Sequence, residues 1–512
     1  MARKGYGGLV HAPKPRGYAA RTMTINLDRR ALFLAGAGTV TTAALMTFEP
    51  AAAGTTTTKV FRGHFRGSKV PDWVYLPFHV PAGVRAIEVS YDYTPTPGVI
   101  TTNVVDIGIF DPSGAGLGNA AGFRGWSGGA RKSFRLSRTS ATPGYLPGPI
   151  SKGRWRVALG PYQINGAGTP YEVRVTLHHG KPGPKFRRTP APRSVPGTGP
   201  GWYRGDLHVH TVHSDGSQTQ RQAYVAAKAA GLDFLGSSEH NTSSAQLTWG
   251  RHVPDDFLVI PGEEVTTRAG HWLAAGLPGR GPRGSWIDWR YRPDDGKLAR
   301  FTRQVRDLGG LAIAAHPATP VDSIRWDFGY DDMDAIEVWN GPWSGLNAVT
   351  NANAVSTWHQ LLVAGRFLPA VGNSDSHKAE QQIGVAHTVV RAATLSVDAI
   401  IAGYRGGHSW VTASSGIDLD FTATLGAVSG QCGDRVPSGS GDTVAVHLSV
   451  AGVTAGDTAT LIGPNGVLGT AVATDGTLTL DSAVAGGTAF VRAEVKRGST
   501  MLALTNPIFL TA

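Results

Sequence analysis

The side chains with the most chemical potential lie together at Asp206-Leu207-His208-Val209-His210-Thr211-Val212-His213-Ser214-Asp215-Gly216. In a β-strand successive side chains alternate between faces, so His208 and His210 share a face and can converge on one ion. Asp215 follows in a Ser-Asp-Gly turn that can fold its carboxylate back toward the two imidazoles. Such a mixed nitrogen and oxygen set suits zinc, manganese or iron better than calcium or magnesium. A solitary His-x-His is more often a pair of satisfied polar residues. His213 has no assigned partner and reads as polar surface.

Four further clusters shift that balance. Leu232–Ser238 runs into Glu239-His240-Asn241, and Val259–Gly262 runs into Glu263-Glu264, with His271 seven residues after Glu264. Leu311–Ala315 ends in His316-Pro317, and Phe367–Val371 precedes Gly372-Asn373-Ser374-Asp375-Ser376-His377. Each is an apolar, strand-like run that delivers an imidazole or carboxylate just past its end. A non-catalytic surface binding protein would need these groups at five strand ends for no chemical reason.

The elements that would position them come from the pattern between residues 201 and 415. Strand-like runs alternate with helical periodicity at Gln220–Ala230 and Lys297–Leu308, which predicts an α/β domain with its site at the C-terminal ends of the strands. Residues 55–178 instead show short β-type runs between Gly and Pro, predicting a β-sandwich or jelly-roll accessory domain. Its aromatics Trp73, Trp126, Tyr145, Trp155 and Tyr162 are expected in the core rather than on a carbohydrate-binding face. Residues 179–200 are rich in Pro, Gly and basic side chains and read as a linker or strap. Residues 416–512 return to short β runs, expected to form an immunoglobulin-like β-sandwich.

The chain has 512 residues, a formal charge of +11 and one cysteine, Cys432. Neither an intramolecular disulfide nor a cysteine-rich zinc module is therefore possible. Seven basic and two acidic side chains fall within residues 1–54, leaving +6 for everything after them. That excess is too small to point to nucleic acid. Arg29-Arg30 precedes a small-residue apolar run and Ala51-Ala52-Ala53, the pattern of a twin-arginine signal peptide over residues 1–54. The run is shorter than the roughly 20 residues a membrane span needs, so export by the twin-arginine machinery is expected without a permanent span, leaving the protein secreted or at the cell surface.

The series HxH…SDG, EHN, PGEE…GH, AHP and NSDSH resembles the PHP family, named for polymerase and histidinol phosphatase, over about residues 202–412. The tandem of signal, β-module and such a domain resembles its exported CehA/McbA branch. The resemblance implies a central distorted (β/α)7 barrel, in a multidomain α/β plus β chain, and two or three divalent ions of Zn, Mn or Fe. It implies that His208, His210, Glu264 and Asp375 hold one ion, with Glu264 bridging to a second held by His271 and His316. Asp215, His240 and His377 would hold the third. Two positions depart from the family pattern: Asp215, where some members carry His, and Glu239, where Asp is usual.

A water between two such ions loses a proton near neutral pH and becomes the nucleophile. The expected activity is therefore hydrolysis of a phosphomonoester or phosphodiester, on a small-molecule or cell-envelope substrate. His271 or His377, where not ligating, would protonate the leaving oxygen. Glu263, Asn340 and Asn373 are expected to orient ligands. A carboxylic or carbamate ester hydrolase on the same site is the alternative: Arg268 and Lys378 adjoin the clusters and favour phosphate, whereas Trp249, Trp272, Trp339 and Trp343 leave room for an aryl ester.

Overall fold

The computed structural model describes residues 55–67, 70–94, 103–279, 281 and 283–511. The expected signal at residues 1–54 lies outside the described residues. The described chain is multilayered and mostly β, with few helices.

The first eight strands are β1 (Thr56–Phe65), β2 (Val74–Val80), β3 (Val84–Tyr93), β4 (Val104–Phe110), β5 (Phe123–Trp126), β6 (Ser133–Ser137), β7 (Gly153–Gln163) and β8 (Thr169–His179). They form two four-stranded sheets, ordered β1-β8-β3-β6 and β2-β7-β4-β5. Alternation along the strands aims Ile87, Val89 and Val175 from one sheet, and Ile107, Trp155 and Val157 from the other, into one core. Trp126 faces the other way and joins Phe110 and Phe123 in a second core with Trp272, Trp286 and Trp289. Apolar packing thus fuses the N-terminal sheets to the central part of the chain.

Residues 180–200 hold no helix or ladder strand, yet they are fastened down. Thr189 N donates to Leu247 O, Val195 N donates to Leu395 O, and Val397 N donates to Arg193 O.

The site-bearing strands are β9 (Gly201–Asp206), β10 (Phe234–Ser237), β11 (Leu258–Thr267), β12 (Gly270–Ala275), β13 (Leu311–Ala315), β14 (Ala335–Asn340), β15 (Ala370–Asn373), β16 (His387–Ala392) and β17 (Ser409–Thr412). They lie in the order β15-β14-β13-β12-β11-β10-β9-β16-β17. β9, β10 and β11 run parallel, as do β13, β14 and β15, whereas β12 is antiparallel to both of its neighbours. One helix after every strand, as a regular (β/α)7 barrel requires, is not what the chain forms. Only Arg268 and Ala269 separate β11 from β12, too few residues for a helix, and the described residues contain four α-helices.

These helices are α1 (Gln220–Ala229), α2 (Leu298–Asp307), α3 (Gly345–Val363) and α4 (Val397–Gly406). α1 starts at a capping box between Thr219 and Gln222. α3, which periodicity did not single out, buries Asn351, Ala354, Val355, Trp358 and Leu362 at helical spacing, despite many Asn, Thr and Val residues. The far edge of the sheet turns back on its start: Leu207 N donates to Asn373 Oδ1 (2.8 Å), and Val209 forms a parallel bridge with Ser376. That curl brings distant strand ends together.

Beyond β17, strands β18 (Asp418–Leu425), β19 (Val428–Gly430), β20 (Thr443–Ala451) and β23 (Thr477–Ala485) form a separate sheet. β21 (Thr458–Gly463), β22 (Gly466–Val472), β24 (Phe490–Arg497) and β25 (Thr500–Thr505) extend the central sheet instead, through pairing of β25 with β17. β26 (Ile508–Phe509) pairs with β24. Among the described residues no helix is long and apolar enough to cross a membrane.

Candidate metal centre

Most donors emerge just past the ends of apolar strands, whereas Glu264 and His271, expected beyond a strand end, lie within two paired strands, because β11 continues to Thr267 and turns directly into β12. β9 ends at Asp206 and is followed by His208 and His210, both fully buried. β10 leads into His240, β11 carries Glu264, β12 carries His271, β13 stops before His316, and β15 is followed by Asp375 and His377. Asp206 ties the first of these ends to the last, accepting hydrogen bonds from His208 N (3.2 Å), Ser374 N (3.1 Å) and Gly384 N (3.0 Å). The non-glycine residues with positive φ among those described are Asn241 (54°), His316 (32°) and Asp375 (51°). All three lie at these ends, where surrounding contacts hold backbone that side-chain-bearing residues seldom adopt.

Glu264 sits at the centre. Its Oε1 lies 2.9 Å from His271 Nδ1, 3.2 Å from His316 Nε2 and 3.4 Å from His208 Nε2. Its Oε2 lies 2.7 Å from His240 Nδ1 and 3.4 Å from His210 Nε2. Asp375 Oδ1 is 3.1 Å from His210 Nε2 and 3.3 Å from His208 Nε2. Asp215 Oδ1 is 3.4 Å from His240 Nε2 and 3.5 Å from His377 Nε2. The turn that returns Asp215 needs its glycine, because a Cβ on Gly216 would stand 2.4 Å from His210 O.

All nine expected ligands therefore meet. His208, His210 and Asp375 form one group with ligand atoms within 4.8 Å of one another, and His210, Asp215, His240 and His377 form another. The expected second set divides: His316 groups with His208 and Glu264, and His271 groups with His240 and Glu264. His208 Nε2, His210 Nε2 and Asp375 Oδ1 are buried and make no hydrogen bond. Convergent lone pairs left this way fit a divalent cation, which would satisfy all three at once.

The charge pattern follows from this crowding. Burial alone would raise the Glu264 carboxyl, but the His240, His208 and His271 imidazoles hold it well below the usual carboxylate range. Burial opposes protonation of His208, yet Asp375, Glu264 and Glu337 raise it well above the ordinary imidazole value. His210 goes the other way, down to about 3, through burial and then the neighbouring His377 and His240.

Glu337, on β14, was not foreseen from the sequence. Its Oε1 accepts from His208 Nδ1 (3.1 Å) and Asn373 Nδ2 (2.8 Å), and its Oε2 accepts from His316 N (2.7 Å) and Asn340 Nδ2 (2.9 Å). The available signal was a lone carboxylate inside the apolar run Ala335-Ile336-Glu337-Val338. Asn340 and Asn373 do adjoin the donors, Asn340 Nδ2 also reaching Asp375 Oδ2 (3.3 Å). Glu263 does not: as the strand neighbour of Glu264 it points to the opposite face, where it accepts from Ile287 N (3.0 Å). Glu239 braces the Asp215 turn, accepting from Ser214 Oγ (2.6 Å), Thr211 N (3.2 Å) and Thr211 Oγ1. His213, expected at the surface, is half-buried with Nδ1 2.9 Å from Ser244 Oγ.

A cavity of about 510 Å³ opens on the donors, walled by His271, His316 and His377 together with Val321, Ile324 and Val385. A second, of about 280 Å³, lies between the Asp215–His240 side and the N-terminal sheets. Arg268, expected near a substrate, is turned away: it donates to Asp72 O (3.1 Å) and Tyr162 O (3.4 Å) and lies over the Trp73 ring. Trp249, Trp272 and Trp339 are buried in the apolar cores, and Trp343 packs on Trp339, so none of the four lines either cavity. Lys378 lines the smaller cavity.

Residues 363–409 match the PHP-associated family model. That stretch contains β15, the Asp375–His377 turn, β16 and all of α4. It covers one of the five donor-bearing clusters. The chain is also 26% identical over 151 residues to the uncharacterized protein MJ1587 of Methanocaldococcus jannaschii, covering 27% of this chain and 81% of that protein. Among solved structures, a two-domain protein containing a predicted PHP-like metal-dependent phosphoesterase from Bacteroides vulgatus is 18% identical, with a TM-score of 0.34, covering 64% of this chain and all of that one. An amidohydrolase from Chromobacterium violaceum is 16% identical, with a TM-score of 0.24, covering 35% of this chain and 89% of that one. Likenesses at those TM-scores decide neither fold nor function.

Proposed function

We propose that this protein is a metal-dependent hydrolase, and specifically a phosphoesterase of the PHP type. The observation that carries the reading is Glu264 lying between two groups of imidazoles, with buried ligand atoms of His208, His210 and Asp375 converging beside it. Two or three cations of Zn, Mn or Fe, when bound, would supply Lewis acidity toward a phosphoryl oxygen and lower the pKa of water. The chain's own residues hold and orient: Glu337 fixes the His208 ring, Asp206 and Asn373 fix the strand ends, and Glu239 fixes the Asp215 turn. His271 and His377 wall the larger cavity, and whichever imidazole is not ligating would deliver a proton to the leaving oxygen.

The return of Ser376 to Val209 supports reading the curled sheet as a distorted (β/α)7 barrel in which β12 interrupts the helical alternation. Residues 55–178 would then be an accessory β-sandwich, 179–200 a strap, 201–415 the hydrolase domain and 416–512 an immunoglobulin-like domain. The Arg29-Arg30 pattern supports twin-arginine export, and with it a CehA/McbA-like enzyme acting on a small-molecule or cell-envelope phosphoester.

One observation favours the carboxylic or carbamate ester alternative. Among the described residues no Arg or Lys walls the larger cavity, whereas Val321, Ile324, Pro342 and Val385 do. Metal analysis, with turnover of p-nitrophenyl phosphate, bis-p-nitrophenyl phosphate and p-nitrophenyl acetate against a His210→Ala control, decides between them. Less than one equivalent of transition metal after mild purification would overturn the hydrolase reading, and turnover confined to the acetate would replace the phosphoesterase with an esterase.

A further inference from the structure

Resting on the phosphoesterase reading, we propose that the substrate is a phosphodiester whose two arms occupy separate cavities, one of them built by the N-terminal sheets. Both cavities have His240 as a wall, and the His210–Asp215–His240–His377 group contributes residues to each. A phosphorus atom held at that group therefore has two exits. The larger, of about 510 Å³, is flanked by His271, His377, Asn347 and Gln382. The smaller, of about 280 Å³, runs under Gly128, Gly129 and Ala130, with Asp106 and Trp126 contributed by strands of the N-terminal sheet and Lys378 from the opposite side. A phosphomonoester has a single organic arm and would leave one of these spaces without a function.

The smaller cavity is fixed in place by contacts across the same seam. Arg131 Nη2 donates to Val212 O, Gly144 N donates to Ser244 Oγ (3.1 Å), and Thr242 Oγ1 donates to Gly144 O (2.8 Å). A Cβ at Gly129 would reach two of the cavity walls, Val104 Cγ1 at 3.3 Å and Asp106 Oδ1 at 3.7 Å, so a side chain there takes up part of the space. The N-terminal sheets thus select substrate rather than only stabilise the fold. The walls differ in kind, amide and apolar groups with Glu380 in one and Lys378 with Asp106 in the other, so the two arms differ as well. The arm beside His271 and His377 leaves as an alcohol. Its P–O bond breaks as water forms a new one, one water proton passing to the alcohol oxygen and the other to solvent. The remaining arm departs as a phosphomonoester.

The test compares bis-p-nitrophenyl phosphate with p-nitrophenyl phosphate on the metal-loaded full chain. The diester is expected to have at least a tenfold higher kcat/KM. Ala130→Trp, at the exposed rim of the smaller cavity, should cut that ratio at least tenfold, chiefly through KM, and Gly129→Ala should cut it less. Melting curves matched to the parent protein, with monoester turnover still measurable, show that the variants are folded. Preference for the monoester, or a ratio that Ala130→Trp does not move, overturns the two-arm proposal and leaves the phosphoesterase reading standing. Turnover of p-nitrophenyl acetate alone overturns both.

Discussion

Glu337 Oε1 lies 3.1 Å from His208 Nδ1, with both side chains fully buried. The contact fixes the imidazole with its Nε2 toward Glu264 and Asp375, and a carboxylate in this position also raises the basicity of the ring. Because Glu337 also accepts from Asn373, His316 N and Asn340, it sets three donor-bearing strand ends at once. Glu337→Gln should lower metal affinity about 10- to 100-fold, with a parallel fall in turnover at limiting metal. Competition with a chromophoric chelator measures it, and unchanged affinity would show that His208 does not depend on this partner.

Metal should also stabilise the fold. A ligand that binds only the native state contributes about 2.7 kcal/mol at a concentration 100 times its Kd. Calorimetric melting of chelator-treated protein is expected at a lower temperature than that of protein refilled with Zn or Mn. His210→Ala should shrink the gap, since it deletes a donor shared by two of the groups. A melting temperature indifferent to metal would contradict a buried centre.

Asn506 is expected to be a structural keystone remote from the chemistry. Its Oδ1 accepts from Ala370 N (2.8 Å), and its Nδ2 donates to Ala370 O (3.0 Å), Ser409 O (3.0 Å) and Ser409 Oγ (2.9 Å). It thereby fastens the chain after β25 to the strand that precedes Asp375. Asn506→Ala would strand several buried polar groups and should cost about 2–4 kcal/mol, read from denaturant midpoints.

Acid stability should depend on Asp457. Hydrogen bonds from Arg497 Nε (2.8 Å) and Nη2 (2.7 Å), outweighing the opposing effect of burial, and then from Thr454 N (2.7 Å), hold its carboxyl down to about 2. Since the folded value lies below the unfolded one near 3.8, its contribution is complete above that pH. It is lost as pH falls toward about 2. Asp457→Asn should lower the melting temperature at neutral pH and have progressively less effect through that window. A constant deficit down to pH 2 would exclude ionisation as the cause.

The lesson of the site is uneven legibility. His208 and His210 were readable because side chains alternate along any extended chain, here prolonged past β9 by the Val209 bridge to Ser376, and the other donors because each follows an apolar run. Glu337 was not, since it is a lone carboxylate within the apolar run Ala335-Ile336-Glu337-Val338 rather than a group that follows such a run. Arg268 and the tryptophans misled for a related reason: they adjoin donors in sequence, but Arg268 is claimed by Asp72 and Tyr162 across the seam to the N-terminal sheets, and the indoles by the cores.

Residue type and local period therefore determined which imidazoles and carboxylates this protein has at its strand ends, and that they suit transition metals. Tertiary structure alone decided how they are shared, because the curl bringing Ser376 to Val209 is long-range. It placed Glu264 between the imidazole groups, set Glu263 on the other face, and made the N-terminal sheets a wall of the second cavity. Those outcomes rest on apolar packing between segments more than a hundred residues apart, such as Trp126 against Trp289 at 4.6 Å, which no local spacing encodes.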